Sequence, residues 1–581
     1  MKKFILDLTV TENIKLHANY VLLKLTSQSL LPEMLPGQFA ELRVDGSPTT
    51  FLRRPISINF VDKQRNEVWF LIQLLGDGTR RLAEVNPGDV INVVLPLGNG
   101  YTMPQNPSDK LLLVGGGVGT APMLYLGEQL AKNGHKPTFL LGARSDKDLL
   151  QLEEFVKYGV DLILSPNINI HRDPLCGRLT ESYSEDPYLV SRIAEAVVCG
   201  LQDEGVIADP KHFAANSQEK DRLKINEKIP MRALREIYLP GFKACIDAGA
   251  LTVMSAYNKI NDESCAMNKW LLTDVLKDEW KFKGCVISAW GASYEQVPAL
   301  AAGTDLTMPG PRGIQCILDA IADGSLSEEV LNDSCRRIMY VILKSGMLEK
   351  KEVSFDLEEA KKIVENAARE AMILLKNDGT LPVQSEQTKI CFYGKRAKQF
   401  AANSEGSGKV PSSFISNPYD RAVEILGSEN VSYQTPSEDT TLYVAVVGAD
   451  GQEGADRLTM DMDVEDQEAL QNAIKAAKEH NRKLVLVCNS SGPITLTEYV
   501  QDCNAILCPY FAGQAGGKVV TDAIFGLYNP SGKLTDTWPK AYCDTPSYKN
   551  YGGENKEVWY GEGIYVGYRW YDARKIEPLF P

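Results

Sequence analysis

The sequence predicts a multidomain α/β protein: an N-terminal antiparallel β-barrel and partial nucleotide-binding βα units, then an incomplete (β/α) TIM-like barrel and an α/β sandwich. Three observations predict this fold class. Short β-type runs broken by Pro and Gly extend from Ile5 to about Leu97, and strands and helices alternate from Lys110 onwards. The 581 residues also suffice for three or four domains of about 100–200 residues each. The predicted domains cover residues 1–105, 106–159, 160–350 and 351–581.

The first 159 residues show two successive secondary-structure patterns. The runs NYVLLKLTS, GQFAELRV, EVWFLIQLL and DVINVVLPLG, separated by turn residues, are typical of antiparallel strands. From Lys110 the order becomes strand LLLVGG, glycine turn, helix APMLYLGEQLAKNG, strand PTFLLGAR and helix DLLQLEEFVKYG. Two consecutive βα units predict a nucleotide-binding half-domain.

Two motifs of the barrel segment, LRRPISI and LLGDGT, carry a resemblance to a flavoprotein. Over about residues 1–159 the chain resembles the electron-transfer subunit of bacterial dihydroorotate dehydrogenase, which is of the ferredoxin-reductase type. Backbone amides freed by glycine, together with an arginine, suit a pyrophosphate. The resemblance implies that FAD is bound by Arg54, Pro55, Ser57, Gly76, Gly78 and Thr79.

A glycine run, VGGGVGTAP, lies between a predicted strand and a predicted helix, which is the context of a phosphate-binding turn. It makes Gly115, Gly117 and Gly119 candidate cofactor-binding residues, with a simple tight βα connection as the alternative. No cysteine precedes Cys176, so the iron–sulfur cluster of the flavoprotein family is excluded for this segment.

From about Val160 buried strands alternate with helices, as in DLILSPN, SRIAEAVVCGLQDEG, VIADPKHF and ALREIYLPGFKACIDAG, and this alternation is typical of a (β/α) barrel. The chemistry of such barrels lies on loops after the strands, where RDPLCGR, KHFAAN, SAYN and SAWGA fall. A charged helix, DLEEAKKIVENAAREAMILLKN, then leads to the strands KICFYG, LYVAVVG, KLVLVCN and NAILCPY of a second α/β domain.

A dense series of motifs, GRLTESYSEDPYL, KHFAANSQE, LREIYLPGFKACIDAGALTVMSAYNKIN, LLTDVLKDEW, GTDLTMPG and NPSGKL, carries a second resemblance. Over about residues 160–581 the chain resembles glycoside hydrolase family 3, whose members of this kind hydrolyse β-linked glucosides or xylosides with retention. That chemistry needs two carboxylates about 5 Å apart, one as nucleophile and one as acid/base. In the family several more barrel strands precede VDLILSP, so we expect the opening of the barrel to be replaced by the flavoprotein-like segment.

The family keeps its nucleophilic aspartate in a V-x-S-D-W-G stretch, but this chain reads VISAWG with Ala289 at that position. A methyl group cannot form a glycosyl ester, so hydrolysis is expected to be abolished or strongly impaired. Substitution by Glu295 or Asp305 is disfavoured, since Glu295 falls in a following loop or helix and Asp305 belongs to the ordinary family pattern. The alanine is compatible with a deliberate knock-out and with natural decay to a binding protein.

The resemblance places the acid/base at Glu453 in GADGQEGADR, where Asp456 and Arg457 are expected to fix the loop; a solvated loop carboxylate is the alternative. A further sugar-gripping aspartate of the family belongs to the barrel portion that is missing here. Sugar contacts are implied for Arg178, Lys211, His212, Tyr257 and Trp290.

The composition of the chain limits the classes of molecule that it is expected to bind. A net charge of −14 and a pI near 5.1 disfavour nucleic acids and anionic membranes, which leaves a β-linked oligosaccharide or glycoside as the expected partner. The hydrolase part is expected to need no cofactor and no metal, while FAD is the candidate for the N-terminal segment. No signal peptide or membrane span is predicted, so we expect a cytoplasmic protein.

Three hypotheses follow from the sequence. The first is a retaining β-glycosidase-like protein of carbohydrate metabolism that is inactive or only binds sugar. The second is a flavin-binding redox module of the pyrimidine-biosynthesis type, carried by the N-terminal segment. The third is a non-functional chimera in which neither site is complete. The oligomeric state is not predicted.

Overall fold

The structure is a computed structural model that describes residues 2–17, 19–46, 50–104, 106, 111–135, 137–142, 151, 162–310, 313–345, 356–384, 388–410, 412 and 414–581. The chain divides into two compact units. One comprises residues 1–161 with 342–353, and the other residues 162–341 with 354–581. No described helix is long and apolar enough to cross a membrane.

The N-terminal unit begins with a closed, six-stranded antiparallel barrel in the order β1-β2-β5-β4-β3-β6, as the sequence predicts. Pairing of Phe4 with Leu95 and of Thr9 with Val90 joins the first strand to the last and closes the barrel. Alternate residues of each strand point inward and build an apolar core that includes Leu23. The elements are β1 Phe4–His17, β2 Tyr20–Thr26, β3 Phe39–Leu42, β4 Arg54–Asp62, β5 Glu67–Gln73, α1 Asp77–Leu82 and β6 Val90–Leu97.

After the barrel, β7 (Leu112–Gly116), α2 (Ala121–Lys132) and β8 (Thr138–Gly142) form one βα unit and the strand that follows it. β7 and β8 pair in parallel over five residues, with Leu112 opposite Thr138. This parallel pair agrees with the alternation predicted from Lys110. The predicted helix DLLQLEEFVKYG lies outside the described residues, apart from Gln151.

The second unit begins with a run of parallel strands: β9 (Leu162–Ile163), β10 (Ile207–Ala208), β12 (Thr252–Ser255) and β15 (Cys285–Ser288). β9 pairs with β10, and β12 pairs with β15. A parallel bridge between Phe213 and Ser255 joins these two strand pairs to each other. A second parallel bridge, between Ile287 and Leu306, adds a fifth strand position next to β15. Within the described residues, these five parallel positions form the arc of a (β/α) barrel.

The two faces of this arc carry different cores. Outward-facing Ala208, Val253 and Val286 pack in the core shared with the surrounding helices. Inward-facing Ile207, Cys285 and Ile287 form a separate cluster, to which helix α7 adds Val341. The helices are α3 Pro187–Asp203, α4 Pro240–Asp247, α5 Gln296–Ala302, α6 Ile314–Ala322 and α7 Glu328–Lys344, with a turn at Met231–Ala233 and π-helical segments at Leu234–Tyr238 and Trp270–Glu279.

The C-terminal part is an α/β sandwich around a six-stranded sheet in the order β16-β21-β20-β19-β17-β18. One apolar core lies on each face of the sheet, with Phe392 in one and Tyr443 in the other. The elements are α8 Leu357–Ala371, β16 Ile373–Asn377, β17 Ile390–Tyr393, α9 Pro418–Leu426, β18 Val431–Tyr433, β19 Leu442–Val447, α10 Val464–Glu479, β20 Lys483–Cys488, β21 Ala505–Cys508, α11 Gly516–Ile524 and α12 Tyr568–Arg574.

One predicted element is wrong in part. The pattern DLEEAKKIVENAAREAMILLKN predicts a single helix, but α8 ends at Ala371 because Met372 is extended, with φ −63° and ψ 127°. Ile373–Asn377 then form β16, which pairs antiparallel with β21. The partner strand lies far along the chain, so the local helical pattern does not reveal it.

A small sheet brings the end of the chain onto the barrel arc. Its central strand β11 (Asn226–Lys228) pairs in parallel with β22 (Glu557–Trp559) and with β13 (Lys259–Ile260), which pairs in turn with β14 (Glu263–Ser264). Beneath it, a buried ion pair joins Arg172 Nε to Glu562 Oε1 at 2.5 Å. These contacts fix the loops of the arc against the C-terminal domain.

Candidate active site

Ala289 directly follows β15, at the C-terminal end of an arc strand, where barrel enzymes place their chemistry. It is 1% exposed, and its backbone N–H donates to Ser255 O at 3.2 Å. Ala289 belongs to a buried apolar cluster with Met254, and the rings of Tyr257 and Trp290 pack against this cluster. Two of the predicted sugar-contacting residues therefore lie beside the predicted nucleophile position.

Of the two acids considered as a replacement, Asp305 is engaged in hydrogen bonds through both carboxylate oxygens. Asp305 Oδ1 accepts from Lys277 Nζ at 2.8 Å and from Ser334 Oγ at 2.9 Å, and its Oδ2 accepts from Val286 N at 2.8 Å. These bonds occupy both carboxylate oxygens in a structural role. Glu295 is the N-terminal flanking residue of α5.

Glu453 lies on a loop of the sandwich domain that follows β19, and this loop docks on the arc. Asp456 accepts backbone N–H groups from Gly177 at 3.1 Å, from Glu219 at 3.0 Å and from Lys220 at 2.9 Å. Arg457 donates its backbone N–H to Leu175 O at 2.8 Å. Asp456 and Arg457 thus hold the loop of Glu453 against two loops of the barrel arc.

Two arginines from the arc bind the carboxylate of Glu453. Its Oε1 lies 2.8 Å from Arg222 Nη1 and 3.6 Å from Arg178 Nη1, and its Oε2 accepts from Ser407 N at 2.7 Å. Burial alone would oppose ionisation, but Arg178, the Ser407 N–H and Arg222 outweigh it and lower the pKa of Glu453 to about 2. Without a ligand, Glu453 is therefore a carboxylate at neutral pH and can act as a base.

His212 is a fixed, neutral hydrogen-bonding group beside Arg178. Arginine only donates, so His212 Nε2 accepts from Arg178 Nη1 at 3.3 Å and Nδ1 donates to Asn169 Oδ1 at 3.0 Å. Burial, Arg178, Lys211 and Arg222 together hold the pKa of His212 well below its ordinary value. The imidazole is thus fixed in one tautomer at neutral pH.

Lys211 is the cation that adjoins His212 in the KHFAAN motif. Burial and the neighbouring charge of Arg178 lower its pKa, against the attraction of Glu181, Asp209 and Glu453. Its Nζ makes no hydrogen bond or ion pair with any residue that the structure describes. The structure thus brings Arg178, Lys211 and His212 to the same side of the arc as Glu453.

Tyr257 connects the two predicted catalytic positions, Ala289 and Glu453. Its ring packs against the cluster that contains Ala289, and the guanidinium of Arg222 lies 5.1 Å from the centre of the same ring. Arg222 in turn contacts Glu453. A short series of contacts, through Tyr257 and Arg222, therefore joins position 289 to Glu453.

The flavin-type residues lie in the N-terminal unit. Arg54, Pro55 and Ser57 are on β4, and Gly76, Gly78 and Thr79 form the start of α1. The structure brings the two motifs together, since a Cβ placed on Gly78 would lie 2.6 Å from Arg54 Nε. The hydroxyl of Thr79 already accepts from Leu75 N and Gly76 N, each at 3.1 Å, which uses two amides that a pyrophosphate could otherwise bind.

The predicted glycine turn follows β7. Gly115 is in the strand, Gly117 and Gly119 form a 3₁₀ turn, and α2 starts at Ala121. This is the strand–turn–helix context that the motif requires. Among the described residues, no group of three or more His, Cys, Asp or Glu side chains is arranged to hold a metal ion.

Comparison with known proteins identifies the family of the larger unit. Residues 147–341 match the glycosyl hydrolase family 3 N-terminal domain, and residues 372–568 match the glycosyl hydrolase family 3 C-terminal domain.

The chain belongs to glycosyl hydrolase family 3.

Among its family 3 relatives, thermostable beta-glucosidase B of Acetivibrio thermocellus is 38% identical over 74% of this chain and 60% of that protein. An exo-alpha-(1->6)-L-arabinopyranosidase of Bifidobacterium breve is 35% identical over 72% of this chain and 59% of that protein. The chain thus spans about 60% of the length of these curated relatives. Beta-glucosidase 3B of Thermotoga neapolitana matches in structure with a TM-score of 0.69 and 33% identity, over 74% of this chain and 67% of that chain.

Two charged residues of this candidate site, Glu219 and Arg222, were not predicted from the sequence. Arg222 binds Glu453 directly, and buried Glu219 supports it by accepting from Arg222 Nη1 at 2.7 Å and from Gly454 N at 2.7 Å. Both lie in or just after KHFAANSQE. Their position beside that motif was the only indication in the sequence of a role in the site. It was not sufficient, because the run EKDRLK is equally typical of an exposed charged loop.

Proposed function

We propose that this family 3 chain is a glycoside-binding protein built on the site of a retaining β-glucosidase, from which Ala289 removes hydrolysis. The observation that carries the proposal is the pairing of two positions: Ala289 at the end of β15, and Glu453 on a loop that Asp456 fixes against the arc. A retaining site needs a carboxylate at each. The β-glucosidases among the relatives support a β-linked glucoside as the ligand.

The groups around Glu453 suit a sugar. Arg178 and Lys211 are cationic donors, and His212 presents a fixed, neutral ring. Trp290 and Tyr257 supply aromatic faces for the apolar side of a pyranose. Hydroxyl groups of a glucoside would provide the acceptor that Lys211 Nζ does not find among the described residues.

Binding can be tested on Lys211. We expect isothermal titration of the full chain with a β-glucoside to show saturable binding, and Lys211→Met to weaken it by about 10–100-fold, because a charge-assisted hydrogen bond contributes about 1.5–3 kcal/mol. The substitution removes a buried charge, so the fold is expected to tolerate it.

The matched control is Lys224→Met, which removes an exposed lysine from the same region and is expected to bind like the native chain. Equal affinity of the Lys211→Met and native proteins would contradict the placement of the sugar. Absence of binding by the native chain would contradict the proposed function.

We also propose FAD as the ligand of the N-terminal unit, on the contact between Arg54 and Gly78 that joins the two motifs. Bound there, FAD would supply electron-transfer chemistry, with Arg54 placed to bind a phosphate. Visible flavin absorbance of the purified chain, lost on Arg54→Ala, would support this proposal. A colourless protein that stays colourless after incubation with FAD would reject it.

A further inference from the structure

A group of ionisable side chains lies buried where the arc contacts the C-terminal domain, outside the predicted sugar contacts. His171 Nδ1 lies 2.6 Å from Asp536 Oδ1, and His171 Nε2 lies 3.0 Å from Ser182 Oγ. The side chains of His171 and Asp536 are only 8% and 10% exposed. His171 lies on the loop between β9 and α3, whereas Asp536 follows α11 in the sandwich domain. Their contact therefore joins two distant parts of the chain.

Glu185, at the end of the same arc loop, adds three hydrogen bonds to this connection. Its Oε1 accepts from Thr537 Oγ1 at 2.7 Å and from Tyr568 N at 2.8 Å, and its Oε2 accepts from Thr537 N at 3.1 Å. A Cβ placed on Gly567 would lie 2.1 Å from Glu185 Cδ. Two segments of the C-terminal domain thus enclose this carboxyl group closely.

A small cavity lies within the group of ionisable side chains. It is lined by His171, Glu185 and Asp536, and by Asp173 from the same arc loop. Its volume of about 30 Å³ is large enough for a water molecule, and its lining offers several polar partners. The contact is therefore a polar site that water can enter, in contrast to the apolar cores on either side of it.

The arc loop that carries His171 continues directly to the sugar site. Leu175 O accepts from Arg457 N at 2.8 Å, which holds the loop of Glu453. Arg178 follows, and its Nη1 lies 3.6 Å from Glu453 Oε1. The stretch 171–178 therefore connects the buried ionisable group at one end with Glu453 at the other.

We propose that His171, Glu185 and Asp536 form a pH-sensitive latch, which holds the arc loop on the C-terminal domain in acid and releases it as the pH rises, so that glycosides bind more tightly in acid. The statement about glycosides rests on the proposed function. The latch itself rests on contacts between the arc loop and the C-terminal domain alone.

The direction of the latch follows from two raised pKa values. Burial alone would lower the pKa of His171, but the charge and hydrogen bond of Asp536 outweigh it and raise this pKa. Burial and the charge of Asp536 raise the pKa of Glu185 from 4.5 to about 7, which hydrogen bonds from Thr537 and Tyr568 offset only in part. The closed latch thus binds both protons more tightly than the open one, so closure weakens as the pH rises through about 7.

The groups around the latch do not reverse this direction. Burial raises the pKa of Asp173 to about 6, which is a change of the same sign. Two ion pairs lie at the edge, Arg172 with Glu562 and Arg569 with Asp186. The other titratable side chains that face the latch and Asp173 have pKa values well above 8 and keep one charge state between pH 5 and pH 8: Arg172, Arg457, Cys508, Tyr510, Tyr542, Tyr551, Tyr568 and Tyr571.

Hydrogen exchange of the full chain measures the latch without any ligand. After correction for the intrinsic rate at each pH, we expect the opening equilibrium of peptides covering 171–186 and 535–547 to be on the order of 100-fold larger at pH 8 than at pH 5. Peptides covering β19, in the centre of the sandwich sheet, are the internal reference and are expected to change far less. Equal protection of the latch peptides at both pH values would overturn the proposal.

Two variants assign the latch to its residues. Glu185→Gln removes one titrating group at nearly constant size, so the pH dependence of opening is expected to fall by about tenfold or more. Asp536→Asn removes the charge that raises both pKa values and is expected to have the same effect, which covers a failure of Glu185→Gln to fold. Glu204→Gln, at an exposed glutamate just after α3, is the matched control and is expected to keep the native pH dependence. Native behaviour of folded Glu185→Gln or Asp536→Asn protein would overturn the assignment.

Isothermal titration with a β-glucoside at pH 5 and pH 8 tests the connection to the sugar site. We expect the native chain to bind about threefold or more tightly at pH 5, because only molecules with a closed latch are competent to bind, and Glu185→Gln to reduce this ratio. Equal affinities at the two pH values would refute control of the sugar site by the latch and leave the proposed function intact. Absence of binding at both pH values, with pH-dependent exchange of the latch peptides, would refute the proposed function and leave the latch intact.

Discussion

The Ala289→Asp variant is expected to hydrolyse 4-nitrophenyl β-D-glucoside on the order of 10⁴-fold or more faster than the native chain. Ala289 lies at the end of an arc strand with its backbone fixed by Ser255 O, so an aspartate there would extend from the proposed nucleophile position. Release of 4-nitrophenolate measures the rate directly. Ala289→Asn, of nearly equal size but without a nucleophilic anion, is the matched control and is expected to stay inactive.

The leaving group should decide how large this gain is. Because Arg222, Arg178 and the Ser407 N–H hold the pKa of Glu453 at about 2, few unliganded molecules carry the proton that a poor leaving group needs. Nitrophenolate leaves without that proton, whereas an alkoxide does not. Hydrolysis of an alkyl β-glucoside as fast as that of the aryl glucoside would contradict the ionised state assigned to Glu453.

Local patterns were sufficient to predict much of this fold. Alternating strands predicted the closed barrel of β1–β6, and the strand–helix alternation predicted the arc and the sandwich. The helix predicted through Asn377 failed because pairing of β16 with β21 depends on a strand far along the chain. A local period reports amphipathicity but does not reveal a distant hydrogen-bonding partner.

In the candidate site, too, local motifs were predicted from the sequence, whereas contacts between distant segments were not. Ala289 was found from the sequence because the surrounding VISAWG motif is local. The ion pair of Arg222 with Glu453 was not found, because it joins an arc loop to a sandwich loop and exists only after the domains pack. The charge state of Glu453 follows from that packing, so a motif that names an acid/base residue does not give its pKa.

Asp209→Asn is expected to stabilise the fold at pH 8 by up to about 4 kcal/mol and to change it little at pH 4. Asp209 is fully buried after β10, and neither of its carboxylate oxygens has a hydrogen-bond partner. The hydroxyl of Thr252 donates instead to Ala208 O at 3.1 Å. Burial raises the pKa of Asp209 to about 7, and the nearby Thr252 hydroxyl and the charge of Lys211 offset this only in part.

The direction in which stability changes with pH follows from how many protons Asp209 binds in the folded and unfolded states. Between about pH 4 and pH 7 the folded state keeps the proton of Asp209 while the unfolded chain loses it, so stability falls as the pH rises through this window. An asparagine carries no such proton and removes this contribution. Urea unfolding of the native and variant chains at pH 4 and pH 8 measures the difference, and the other buried carboxyl groups affect both proteins equally.

Asp203→Asn provides the matched control, because it removes the same charge from an exposed position at the end of α3. It is expected to change stability by no more than about 0.5 kcal/mol at either pH. A destabilised Asp209→Asn protein at pH 8 would mean that the ionised carboxylate has a favourable partner. Since Lys211 is the cation acting on Asp209, loss of glucoside binding in the same variant would then assign Asp209 a role in positioning that lysine.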